Sequence, residues 1–290
     1  MTIFGIDASS NTGSVGWAAV DAGTGFGFEK VTEGTHYANP FWPAAREALD
    51  ACAKATGLVP GAYLFLDAGA PGAAQADWFA SRAGNLDGFA IAADFERAPD
   101  GPPSVQQARA CVARLRQHYP GHPVGLYAPH WFTGGEDLTF GDWLWASSYV
   151  IGTGSPQALY AKVPGVFWAQ YGGRSPLMLQ FTSSARVPGV PGPCDCSAFK
   201  GTQADLRAAV LGKKVPDVTI GSVKCDGRTS LAQLAAEHQT GASTVLRLTV
   251  QHGGKYSAPV AAYLDAVFQG KLPASAPIPA GAMLWVPVTA

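Results

Sequence analysis

The segment Gly88-Phe89-Ala90-Ile91-Ala92-Ala93-Asp94-Phe95-Glu96 constrains the fold of this chain more than any other. Small and apolar residues run unbroken up to the first charge, so it reads as a strand buried on both faces. Strands of that kind lie in parallel sheets covered by helices, which points to an α/β architecture. Side chains on a strand alternate faces, so Asp94 and Glu96 point the same way, with Cα atoms roughly 7 Å apart. Two carboxyls so placed repel each other, favouring one ionised and one protonated partner. Cleavage of a glycosidic bond requires such a pair. The plain alternative is a solvated strand end leading into the Pro/Gly loop Arg97–Pro103, and Asp-x-Glu alone favours that alternative.

Composition narrows the function further. The formal net charge is −1 and there is no Lys/Arg run, which argues against a nucleic-acid groove or an anionic-membrane anchor. Of the eight Trp and nine Tyr most are expected in the core, and in a near-neutral chain the surplus rings suit stacking on sugar faces. The N-terminus, Met1-Thr2-Ile3-Phe4-Gly5-Ile6-Asp7, has neither a basic start nor an apolar segment of signal-peptide length. No stretch approaches the roughly eighteen apolar residues of a membrane span, so a soluble protein without an export signal or membrane insertion is expected. The five cysteines, Cys52, Cys111, Cys194, Cys196 and Cys225, are scattered, and Cys194-x-Cys196 has no His pair for a zinc site. They read as reduced and mostly buried, and no metal or cofactor is expected. Gly23-Thr24-Gly25-Phe26-Gly27 lacks a following Lys-Ser/Thr pair and reads as a turn.

Helical and strand patterns alternate through the first half. Ile3–Ile6 reads as a strand ending at Asp7, and Pro43–Thr56 as a helix with Gly57 as its C-cap. Gly61–Leu66 is a second strand, followed by a helix around Gln75–Ala83. Ser104–Tyr119 reads as a helix opened by a Ser104/Gln107 capping box and closed by Pro120. Val124–Tyr127, Trp143–Tyr149, Leu177–Phe181 and the segment near Asp195 are further strands, while Thr202–Leu211 is a terminal helix. This succession suggests a barrel-like α/β domain with an irregular closing side. Asp7, Asp67, Asp94 with Glu96, and Asp195 all fall at strand ends, where α/β barrels carry their active sites. Asp67 alone reads as an ordinary aspartate at the start of a loop. His130 beside Trp131 fits either the cleft or a plain loop.

The first two hundred or so residues resemble the Chalaropsis-type lysozymes, glycoside hydrolase family 25. Gly5-Ile6-Asp7-Ala8-Ser9, Thr32-Glu33-Gly34-Thr35 with Tyr37, and Gly61-Ala62-Tyr63-Leu64-Phe65 match that family's elements in order. So do Asp94-Phe95-Glu96, Trp145-Ala146 with Tyr149, and Gln180-Phe181-Thr182-Ser183, Val187-Pro188-Gly189 and Asp195. The resemblance implies an irregular TIM-like (βα)5β3 barrel over residues 1–212. It also implies a catalytic set of Asp7, Asp94, Glu96 and Asp195, with Glu33, Tyr63, Tyr127, Trp145, Tyr149 and Gln180 binding substrate. Glu96 is expected to be the general acid. Asp94 is expected to stay ionised and to orient the substrate's 2-acetamido group, with retention and inversion both compatible. Tyr63, Trp145 and Tyr149 are expected to line the cleft. Three positions depart from the family pattern: Leu64, expected near the cleft where His is usual, Leu179 in place of Trp, and Ser197 in place of Asn.

Residues 213–221 read as a linker, and 222–290 resemble a LysM domain, a small α+β (βααβ) module that binds N-acetylglucosamine-containing glycans. Asp226-Gly227-Arg228-Thr229-Ser230-Leu231 and Ile278–Pro287 carry that likeness, with Thr240–Leu248 as a second helix. Thr249 replaces a frequent Asn. Residues 250–277 form an insertion, in which Tyr263–Phe268 suggests an extra helix. The resemblances together imply a peptidoglycan-cleaving N-acetylmuramidase. A phage or prophage endolysin fits best, made in the host cytoplasm and released to the cell wall through a separate holin. A virion-associated lytic protein is the next choice. The alternatives are a catalytically inactive wall-glycan-binding protein and a chitinase-like glycosidase.

Overall fold

The computed structural model describes residues 2–20, 23–99, 101–133, 135–212, 220–237, 245, 260, 262, 263, 266, 267, 272, 273 and 275–287. The chain opens with β1 (Thr2–Ala8), the one-turn α1 (Trp17–Val20), β2 (Phe26–Glu33) and the two-residue β3 (Tyr37–Ala38). Then come α2 (Trp42–Thr56), β4 (Val59–Phe65), α3 (Gly72–Ala83), β5 (Ala90–Asp94) and α4 (Val105–His118). After β6 (Val124–Tyr127) and β7 (Trp143–Ser147) only short helices follow, α5 (His130–Thr133) and α6 (Pro156–Tyr160). β8 (Met178–Ala185), β9 (Cys194–Lys200) and α7 (Gln203–Leu211) complete the unit. The capping signals act as the sequence suggests. Gly57 ends α2 in the left-handed conformation, and Ser104 and Gln107 exchange side-chain bonds at the start of α4.

The strands form a nine-stranded sheet in the order β1-β9-β8-β7-β6-β5-β4-β2-β3, and pairing of β1 with β2 closes all but β3 into a barrel. Neighbours from β1 through β2, β4, β5, β6, β7 to β8 are parallel, while β9 inserts antiparallel between β8 and β1. This is the mixed α/β barrel with an irregular closing side.

Strand alternation explains the apolar runs. Ala90 and Ala92 of β5 join Phe26, Phe28, Trp143, Trp145 and Met178 inside the barrel. Ile91 and Ala93 face outward, into the layer shared with Leu49, Phe79 and Leu115 of the helices. Interior crowding fixes Gly61, where an added Cβ would lie 2.2 Å from the Phe28 ring. At the N-terminal strand ends α7 seals the barrel with Leu206, Val210 and Leu211. Gln203 Nε2 donates to Gly25 O at 3.0 Å, and Arg207 donates to the Gly57 carbonyl.

Two sequence readings need correction. The strand β2 is absent from the apolar reading because Glu29 and Lys30 interrupt its pattern. Both are nonetheless buried, Lys30 inside the barrel mouth and Glu29 outside under α2. Leu64 lies away from the cleft, fully buried in the outer layer, because its neighbours Tyr63 and Phe65 take the inward positions. Leu179 likewise packs in that layer.

In the C-terminal segment β10 (Ile220–Lys224) pairs antiparallel with β11 (Met283–Pro287). β10 thus begins inside the expected 213–221 linker, of which 213–219 lie outside the described residues. Ser230 and Gln233 exchange bonds at the start of α8 (Leu231–Glu237). Leu231, Leu234, Val245, Tyr263, Ile278 and Leu284 share a separate core. Most of the Thr240–Leu248 helix, Thr249, and much of the 250–277 insertion with Phe268 fall outside the described residues. No helix among the described residues is long and apolar enough to cross a membrane.

Candidate active site

The C-terminal strand ends of the barrel surround a cleft of about 300 Å³. β1 and β9 bring Asp7 and Asp195 together as direct cross-strand partners, although they stand far apart in sequence. β5 supplies Asp94 from its last position, and Glu96 follows two residues later on the same wall. Glu33, Tyr63, Tyr127, Trp145, Tyr149 and Gln180 line the same cleft. Asp67 lies outside it, accepting a bond from Gly69 N at 2.9 Å in an ordinary turn. Its carboxylate also packs against Gly34, which has φ +54°, leaving no room for a side chain after Glu33. His130 faces away from the cleft and stacks edge-on with Tyr171, ring centroids 4.8 Å apart.

Gln180 organises one side of the cleft. Its Nε2 donates to both oxygens of Asp7, at 3.0 and 2.9 Å. Its Oε1 accepts from Tyr127 OH at 2.8 Å and Tyr149 OH at 2.5 Å. Trp145 donates through Nε1 to Ser197 Oγ at 2.9 Å and leans on Phe28, centroids 4.8 Å apart. Tyr63, Tyr127 and Trp145 therefore belong to the barrel core as much as to the cleft floor, while Tyr149 keeps 48% of its surface exposed.

The electrostatics are strongly acidic. Five carboxyls line the cleft and Lys30 is the one cation among its described lining residues. Burial, then the Asp195 charge, pushes Asp7 well above the carboxylate range. Burial and Glu96 do the same to Asp94. Glu96 is raised to about 7 by burial and Asp195, and Asp195 to about 6 by burial. The ionised form expected of Asp94 is thus opposed by burial and the Glu96 charge and favoured by the Lys30 cation. Asp94 Oδ1 is buried and has no hydrogen-bond partner among the described residues. Ser9 and Phe65, which close two of the matched elements, also line the cleft, together with Lys30, Asn11 and Pro99, which the sequence reading did not single out as site residues. The described residues contain no group of His, Cys, Asp and Glu suited to a metal ion.

A closed α/β barrel with paired, pKa-raised carboxyls at its mouth is the framework of a glycoside hydrolase. The chain belongs to the glycosyl hydrolases family 25, whose family model matches residues 6–190. It is a glycoside hydrolase of the lysozyme type. Lysozyme M1 of Streptomyces globisporus is 31% identical over 224 residues, covering 70% of each chain. The bacterial lysozyme from Streptomyces coelicolor superposes with a TM-score of 0.56 at 26% identity, over 72% of this chain and 96% of that one. The catalytic domain of endolysin ply40 from the Listeria monocytogenes bacteriophage P40 has a TM-score of 0.57 at 17% identity, over 72% and 98%, and shows the shared fold.

Proposed function

We propose that this chain is an N-acetylmuramidase that hydrolyses the β-1,4 bond between N-acetylmuramic acid and N-acetylglucosamine in bacterial peptidoglycan. The observation that carries this reading is the Asp94/Glu96 pair. One half-buried carboxyl, raised to about 7 by burial, stands beside a deeper one whose Oδ1 has no hydrogen-bond partner among the described residues. Glu96 is the general acid: its pKa allows it to hold a proton near neutrality and release it to the leaving oxygen. Asp94 Oδ1 accepts the N–H of the substrate's 2-acetamido group. A hydrogen bond to the charged form favours ionisation, so the bound acetamido group supports Asp94 as the anion that opposes positive charge at the anomeric carbon. Asp7, held by Gln180, and Asp195, beside Tyr149, position the sugar. Glu33, Tyr63, Tyr127 and Trp145 shape the cleft, and Tyr149 offers an exposed ring for stacking on a sugar face.

The finer reading is a phage or prophage endolysin, made in the host cytoplasm and reaching the wall through a separate holin. Residues 1–212 form the catalytic domain, and the segment from β10 onward serves as a LysM-like peptidoglycan-binding module. Linking catalyst to anchor raises the local concentration of an insoluble substrate. Mass analysis of fragments from digested peptidoglycan tests the bond assignment. New reducing ends on N-acetylmuramic acid support it, whereas new ends on N-acetylglucosamine or no fragments overturn it.

A further inference from the structure

β2 is irregular between Lys30 and Thr32. In an unbroken strand, residues three apart face opposite sides, so Lys30 and Glu33 would be separated by the sheet. The extra residue changes the parity. Lys30 pairs with Tyr63 and Glu33 with Phe65, and all four line the cleft. Bulges beside active sites re-aim side chains in this way. Asn39 braces this one, its Nδ2 donating to Lys30 O and to Glu29 Oε1, both at 2.8 Å. The Lys30 ammonium sits 3.0 Å from Glu33 Oε2 and 4.5 Å from the centroid of the Phe65 ring. Only 11% of its side chain is exposed.

A buried ammonium is costly unless acidic groups surround it. Those facing this one are Glu33 on β2, Asp7 on β1, Tyr63 on β4, and Asp94 and Glu96 at the end of β5. Tyr127, Tyr149 and Asp195 close the far side of the cleft. Glu33 neutralises part of the charge. The remainder holds Asp7, Asp94 and Glu96 lower than burial alone would leave them.

We propose that Lys30 is a positioning residue of the hydrolytic site: its ammonium, aimed by the bulge and shared with Glu33, sets how many protons the Asp7–Asp94–Glu96 cluster holds at neutral pH. The consequence for rate rests on the muramidase reading, and the effect on protonation does not. Hydrolysis needs one proton on the acid and an ionised partner beside it. Without the cation the cluster holds its protons more tightly, and the partner ionises less readily.

NMR titration of the full-length protein, 13C-labelled at its Asp and Glu carboxyls, reads the effect directly. Lys30→Met should move the Asp94 and Glu96 midpoints up by about one pH unit. Lys30→Arg, which keeps the charge, should leave them near wild type. Glu33→Gln frees the whole ammonium charge for the cluster and should move them down. The acid limb of the pH–rate profile on purified cell walls should follow in each case. A folded Lys30→Met protein with unmoved midpoints overturns the proposal. So does an upward movement shared by Lys30→Arg, which marks a packing role. If Lys30→Met fails to fold, Lys30→Gln decides: an upward movement supports the proposal and unmoved midpoints overturn it. Midpoints that move as stated, while the wild-type protein does not clear walls, leave Lys30 in its role and overturn the muramidase reading instead.

Discussion

At one end of the barrel the strands run out into Asp7, Lys30, Asp94 and Asp195, while at the other Phe26, Val59, Trp143 and Phe199 meet under α7. The same strands supply both ends, so the contrast comes from which residues occupy the inward positions along each strand. At the mouth, burial raises carboxyl pKa values, and Asp94 Oδ1 has no hydrogen-bond partner among the described residues, features that work against folding. At the closed end, aromatic burial and the capping helix provide the offsetting stability. Chemistry and stability are therefore segregated along the barrel axis, as expected for a fold whose active sites sit at the C-terminal face.

Paired substitutions give the sharpest way to break this division. Glu96→Gln should reduce wall clearing by about two to four orders of magnitude, with a melting temperature at or above wild type at pH 8. Phe26→Ala, at the closed end, should cost about 3–5 kcal/mol of stability, while the folded fraction keeps its specific activity. Measuring both quantities on both variants decides the matter. A folded Glu96→Gln protein with near-normal clearing would remove Glu96 from the acid's role, and a Phe26→Ala protein that stays stable but inactive would show that the two ends are not independent.

The same comparison explains what was legible in the sequence. The strand β5 announces itself because both its faces are buried, giving an unbroken apolar run with the carboxyls placed after it. β2 is equally central but hides. Its inward Lys30 and outward Glu29 look like a solvated stretch, and only the tertiary setting buries them, Lys30 among carboxyls and Glu29 against Asn39. A bulge has no reliable composition signal, so the juxtaposition of Lys30 with Glu33 is invisible at the level of strand periodicity. Leu64 shows the opposite error: motif position suggested the cleft, whereas simple alternation with Tyr63 and Phe65 already places it outside.

Glu29 gives a test of stability away from the mouth. Burial raises its carboxyl to about 7, with Asn39 and the nearby Trp17 indole pulling the other way. The folded protein therefore binds more protons than the unfolded chain between about pH 4.5 and 7, so this group's destabilising effect grows as pH rises through that window. Above pH 7 the effect reaches about 3 kcal/mol. Glu29→Gln keeps an acceptor for Asn39 and should match wild type near pH 4.5, then gain stability over it progressively up to pH 8. Denaturant unfolding across that range reads the gain, and a pH-independent difference would contradict the burial argument.

A smaller effect is expected for Trp145, which belongs to both halves of the comparison. Trp145→Phe keeps a ring against Phe28 but leaves Ser197 without its indole donor, a loss of about 1–3 kcal/mol. Both the melting temperature and wall clearing should fall modestly. A fall in clearing alone would place this ring wholly on the functional side.

The smallest change is expected from removing the C-terminal segment, provided the assay excludes the wall. α7 completes the barrel and ends at Leu211, and the core around Leu231, Leu234 and Leu284 shares no residue with the two barrel cores. A chain ending at Lys214 should therefore fold and cut short soluble glycans at the wild-type rate. On intact walls the same protein should act more slowly, because the proposed tether raised the local substrate concentration and nothing else. The isolated segment should sediment with insoluble peptidoglycan. That binding should resist moderate salt, since hydrogen bonds to N-acetyl groups are not screened as surface charges are. Equal rates on walls with and without the segment, together with no sedimentation of a folded segment at any salt concentration, would remove the anchoring role and leave the barrel as the whole of the hydrolytic machine.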